Sequence, residues 1–113
     1  MKQLSLLCLL LFAACGSDPP LTVGQAVQQL EHHACLRIDA CGRGGETGFT
    51  SEAQCESGLV GQDCSLTSCA ADSMVTQAEI DPCLSAIDTY PCASILGGSP
   101  LRVYYPTNCE LLH

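Results

Sequence analysis

Ten cysteines in a chain of 113 residues limit what it can fold into more than any other feature. Two of them, Cys8 and Cys15, lie at the N-terminal end; the other eight are Cys35, Cys41, Cys55, Cys64, Cys69, Cys83, Cys92 and Cys109. An even set in a small exported domain reads as a disulfide framework, and eight cysteines allow 105 pairings. The rest of the composition makes such a framework necessary. After residue 14 the chain holds no Trp, one Phe (Phe49) and three Tyr. Ordering a residue costs about 1.5 kcal/mol, and small cores net only a few kcal/mol from burial. Four bonds at about 2–4 kcal/mol each match or exceed a typical folding stability of about 5–15 kcal/mol.

The setting in which those bonds form is read from the N-terminus. Lys2, an apolar run from Leu4 to Ala14 and small residues before Cys15 make the three parts of an export signal. At about 1.5 Å per helical residue the run covers roughly 16 Å, half of a hydrocarbon core about 30 Å thick, so it is too short for a finished anchor. Phe12-Ala13-Ala14-Cys15 resembles the bacterial lipobox, with Phe12 where leucine is commonest. The resemblance implies that the Cys15 thiol takes a diacylglyceryl group and becomes the first residue of the mature chain. The competing reading is ordinary cleavage near Ala13 or Ala14, which would leave Cys15 as an odd thiol. Gly16, in place of Asp, favours the outer membrane, facing the periplasm or the cell surface.

The expected organisation is therefore a signal over residues 1–14, a lipidated cysteine and short tether over 15–21, and a single cysteine-rich helical domain over 22–113. The mature part carries three arginines, Arg37, Arg43 and Arg102, against twelve acidic residues, a formal charge of −9 with no lysine. Such a surface repels phosphates and argues against a nucleic-acid partner. The expected partners are the membrane, through lipid on Cys15, and another envelope protein.

Along the domain, Thr22-Val-Gly-Gln25 matches a helix-capping box, and Val23, Ala26, Val27, Leu30, Ala34, Ile38 and Cys41 recur at three- and four-residue steps. This predicts an amphipathic helix over 23–41, ended by Gly42 and a glycine-rich loop to Gly48. Ser51-Glu-Ala-Gln54 repeats the capping pattern and opens a shorter helix with Cys55, Leu59 and Val60, stopped by Gly61. Residues 62–73 read as loop. Asp81-Pro82 reads as N-cap and first residue of a third helix, with Cys83, Leu84 and Ile87 inward and Pro91 as its end. Cys109 is expected to pin the tail to the body. The fold class is thus mainly α, a small disulfide-stapled domain of about three helices and long loops with no significant sheet. Cys35 and Cys41 stand about 9 Å apart along one helix, beyond the roughly 7 Å limit between bonded Cα atoms, so they cannot pair. The same holds for Cys83 and Cys92 on a continuous helix. Cys64 and Cys69 could close on each other only outside a regular helix.

These spacings, with Ser51-x-Ala53-x-Cys55, the run Cys83-Leu84-Ser85-Ala86-Ile87 leading to Pro91-Cys92-Ala93, and Pro106-x-x-Cys109, resemble a loose group of small cysteine-rich lipoproteins predicted in soil-dwelling and predatory Gram-negative bacteria. On that pattern Cys64 and Cys69 are an extra pair. The resemblance implies an exported, helical, lipid-anchored domain with no catalytic residues to carry over.

Reactive chemistry is sparse in the sequence. His32-His33-x-Cys35 is the most suggestive metal-like cluster, yet adjacent histidines on a helix point about 100° apart, and export places Cys35 where disulfides persist. No Cys-x-x-Cys occurs. Ser99 and His113 could be aligned with an acid, but Ser99-Pro100 lacks the surroundings of a nucleophile elbow and reads as a turn. Asp39, Asp63, Asp72 and Asp81 read as solvated faces and helix caps, and one ring of Tyr104-Tyr105 is expected over the core. The expectation is a non-enzymatic envelope lipoprotein without cofactor or metal, a scaffold for protein or small-ligand binding. The alternative is a metal-binding or thiol-active envelope protein using His32, His33 and cysteines.

Overall fold

The computed structural model describes residues 19–112, so the segment read as an export signal, Cys8, Cys15 and His113 lie outside the described residues. The domain is mainly helical and is stapled by four disulfides. Its frame is helix α1 (Val23–Ala40). The helix starts where the capping box predicts: Thr22 Oγ1 accepts from the Gln25 backbone N–H at 3.1 Å, and Gln25 Oε1 accepts from the Thr22 N–H at 2.9 Å. It ends at Cys41, after which Gly42 takes a left-handed φ of 68° that few other residues tolerate. Its buried face is Ala26, Leu30, Ala34, Cys35 and Ile38, together with Glu31.

Helix α2 (Glu52–Asp63) starts at Ser51, whose Oγ accepts from the Gln54 N–H at 3.1 Å. It runs through Gly61 rather than stopping there. A glycine costs a helix only about 1 kcal/mol relative to alanine, and the Cys64 N–H still donates to the Val60 carbonyl at 3.1 Å. Residues 62–73 are not all loop either, because Ser65 caps a single turn, α3 (Leu66–Cys69). Between the two, Cys64 is extended, at φ −149° and ψ 148°. That break lets Cys64 and Cys69 bond across a Cα separation of 5.3 Å.

Helix α4 (Gln77–Asp88) corrects the reading of Asp81-Pro82 as a helix start. A full capping box forms earlier, with Thr76 Oγ1 accepting from the Glu79 N–H at 3.3 Å and Glu79 Oε1 accepting from the Thr76 N–H at 3.1 Å. Two orphan amides satisfied together outweigh the missing N–H of Pro82. Pro82 and Ala78 are both exposed, so the carbonyl that the proline leaves without an intrahelical donor faces water. The helix stops at Asp88, short of Pro91, and Pro91 instead precedes the turn α5 (Cys92–Ile95).

A minimal two-stranded hairpin follows, in keeping with a fold that has no significant sheet. Strand β1 (Leu96–Gly97) pairs antiparallel with β2 (Arg102–Val103), Leu96 opposite Val103 and Gly97 opposite Arg102. The turn between them holds Gly98 and Ser99-Pro100. A 3-10 segment, Thr107–Leu112, closes the described chain.

The bonds are cross-element staples. Cys35–Cys55 joins α1 to α2, Cys41–Cys92 joins the end of α1 to α5, and Cys83–Cys109 ties α4 to the tail, at Cα separations of 6.0, 5.5 and 4.7 Å. The core has two parts. Ala26, Leu30 and Ala34 of α1 meet Ile80, Leu84 and Ile87 of α4, while Ile38 meets Ile95 and Leu96. Leu21, placed in the tether by the sequence reading, packs on the first part, and its N–H donates to the Val75 carbonyl at 2.7 Å. Gln29 and Gln77 exchange amide hydrogen bonds at 2.7 and 2.9 Å, fixing the register of α1 against α4.

Candidate functional site

A cleft of about 340 Å³ opens between the glycine-rich loop, α2 and the hairpin. Its position follows from how the loop is fastened. Arg43 holds Glu46 bidentately at 2.7 and 2.8 Å, and its Nη1 donates to the carbonyls of Cys92 at 2.7 Å and Leu96 at 3.2 Å. One guanidinium, with its five donors in a fixed fork, thus binds the loop to both α5 and β1. Beyond the loop, the Phe49 ring lies on Gly58 of α2; a Cβ there would meet Phe49 Cε1 at 2.5 Å, so only glycine admits the ring in this place. The cleft floor is apolar, formed by Phe49, Leu59, Leu96, Val103 and Tyr105, and its rim carries Glu46, Asp63, Arg102 and the exposed Leu101.

Tyr105 reaches through the floor. Its hydroxyl donates to Oε1 of Glu31, a carboxyl on α1 that is 0 % exposed. Burial lifts the Glu31 carboxyl from 4.5 to about 7; the Tyr105 hydrogen bond pulls the other way, and the nearby charge of Asp63 adds to the rise. Burial and the neighbouring Glu31 charge push the Tyr105 phenol upward, so it remains a donor throughout the ordinary pH range. The cleft therefore has a titratable carboxyl beneath its aromatic floor.

Sequence reasoning missed Glu31. The signal was present, since position 31 lies four residues after Val27 and three before Ala34, within the apolar stripe of α1. The identity of its partner, Tyr105, 74 residues further along, was not readable from that stripe.

The sites predicted from the sequence are scattered. All eight cysteines from Cys35 to Cys109 are in disulfides and offer no thiolate. His32 and His33 diverge, as neighbours on a helix must. His33 Nδ1 lies 2.7 Å from Asp88 Oδ1 on α4, whereas His32 Nδ1 lies 3.0 Å from Glu56 Oε2 and 3.4 Å from Glu52 Oε1 on α2. The hydrogen bond to Glu56, with the charges of both glutamates, raises the His32 pKa. Ser99 sits in the hairpin turn, as expected, and His113 lies outside the described residues. Tyr105 packs on the core while Tyr104 stays 45 % exposed. Asp81 is no cap; it accepts from Gln77 Nε2 at 2.9 Å. Asp63 is at the cleft, and Asp72 Oδ1 accepts from the Met74 N–H at 2.7 Å.

No family model, curated protein or solved structure matches this chain. Its function is therefore argued from its own residues. Among the described residues, no helix is long and apolar enough to cross a membrane.

Proposed function

We propose that this protein is a non-enzymatic lipoprotein of the cell envelope, tethered through Cys15, whose domain holds a small ligand or a peptide segment in the cleft above Tyr105. The observation that carries the binding reading is the cleft itself, with an apolar floor, a charged rim and walls tied together by Arg43 and Cys41–Cys92. Walls that lose little freedom on binding leave more of the contact energy for affinity. The export signal and lipobox-like Phe12-Ala13-Ala14-Cys15 support the location.

Two measurements test the reading. Intact mass of the protein isolated from its own envelope, without reductant and with an alkylating agent, should show a lipid-sized increment on a chain starting at Cys15 and no alkylation. An unlipidated chain that alkylates at several cysteines would remove both anchor and scaffold. For the cleft, a fluorescent apolar dye should bind the full chain with saturable affinity. Leu101→Asp, at the exposed rim, should weaken it about tenfold, equivalent to about 1.4 kcal/mol, with thermal stability unchanged. Equal binding by the variant would place the ligand elsewhere.

A further inference from the structure

We propose that His32, Glu52 and Glu56 form a binding site for a single zinc ion, built across the α1–α2 interface. The ligand atoms already converge. His32 Nδ1, a Glu52 oxygen and a Glu56 oxygen all lie within 4.8 Å of one another, with the imidazole nitrogen 3.0 Å from Glu56 Oε2 and 3.4 Å from Glu52 Oε1. Ligands on a tetrahedral zinc with bonds of about 2.1 Å stand about 3.4 Å apart. The site therefore needs only small side-chain adjustments to close on the ion.

Three features separate this cluster from ordinary surface charge. Glu52 and Glu56 are four residues apart on α2 and so share one face. The Cys35–Cys55 disulfide bonds α1 to α2 beside the cluster, three residues after His32 and one before Glu56, so the imidazole and the carboxylates are held together by a covalent link. Finally, Glu52 Oε1 is closed to solvent and has only the long 3.4 Å approach of His32 Nδ1 as its partner, so an ion within the cluster would give this buried oxygen a closer one.

The donor set selects the ion. One imidazole nitrogen and two carboxylates suit a borderline first-row divalent metal, whereas calcium asks for six to eight oxygens. On binding, His32 Nδ1 releases its proton to solvent and presents its lone pair to the ion, while Nε2 keeps its own proton. A shallow groove lined by Gln25, Gln28 and Gln29 adjoins His32 and Glu56, so water can take the fourth position. The formal charge of −8 on the chain favours cation approach.

The test is a calorimetric zinc titration of the untagged, oxidised full chain, stripped of metal and held near neutral pH, paired with histidine ring resonances by NMR. The expected result is saturable binding of a single zinc ion, with the His32 ring signals moving and those of His33 unmoved. Substituting even outer-shell partners weakens metal binding about 10–100-fold. His32→Ala and Glu56→Gln, both at solvent-accessible side chains, should therefore each weaken zinc at least about tenfold while the circular dichroism is unchanged. Excess calcium should leave the zinc in place. Absence of binding, zinc bound equally by His32→Ala, or displacement by calcium would each overturn the proposal.

Discussion

Replacing Cys41 and Cys92 together with alanine should destabilise the domain by about 4 kcal/mol, the largest loss expected from any one of the four bonds. The bond spans 51 residues, against 20 for Cys35–Cys55, 26 for Cys83–Cys109 and 5 for Cys64–Cys69. Loop-closure entropy in the unfolded chain grows with the logarithm of that span, and gives about 2 kcal/mol for the shortest loop. Cys41 and Cys92 are only half-buried, so the alanines leave little cavity to confound the comparison. Urea denaturation of the two double variants, Cys41→Ala/Cys92→Ala and Cys64→Ala/Cys69→Ala, measures the difference directly. Equal midpoint losses would show that chain entropy is not what these bonds supply. Reduction of all four should unfold the domain, because a domain of this kind holds only about 5–15 kcal/mol in total.

Glu31→Gln should stabilise the protein in alkaline solution and do little in acid. In the unfolded chain Glu31 ionises at its ordinary value of 4.5, whereas in the folded protein it ionises at about 7. Below 4.5 both states hold the proton and nothing is lost. Between 4.5 and about 7 the folded state retains a proton that the unfolded state has released, so stability falls as pH rises. Above about 7 the loss is constant, roughly 3 kcal/mol by proton linkage. Glutamine keeps an acceptor for the Tyr105 hydroxyl and removes the charge from beside Asp63. Thermal midpoints of the two proteins, followed from about pH 4 to about pH 9, should coincide at the acid end and separate in the variant's favour through this window. Parallel curves would mean that Glu31 is not a buried, late-ionising carboxyl. Because both proteins share His32 and the other titrating groups, the difference between the curves reports position 31 together with the adjacent Asp63 carboxyl.

The local features were legible in the sequence because their causes are local. Thr22 and Gln25 are three residues apart, and their capping box needs nothing beyond that spacing; at Ser51 and Gln54 the same spacing gives only the serine half of the box, because Gln54 Oε1 accepts from the Thr50 N–H instead. The buried stripe of α1 follows from its three- and four-residue steps, and the geometry of one helix sufficed to forbid Cys35–Cys41. Where two local signals competed, the reading failed: Asp81-Pro82 was a plausible start, yet Thr76 and Glu79 satisfied two amides against the one that Pro82 removes. Tertiary structure alone decided the rest. Of the pairings left open, the choice depended on where α1, α2, α4 and α5 pack. Glu31 stays in the apolar stripe with polar partners from elsewhere in the fold, the Tyr105 hydroxyl far along the chain and the Asp63 carboxyl. His32 acquired Glu52 and Glu56 as neighbours only because Cys35–Cys55 lays α2 along α1. Periodicity and capping are set by bonds within a few residues, but partners across helices are set by how faces fit, which no spacing along the chain encodes.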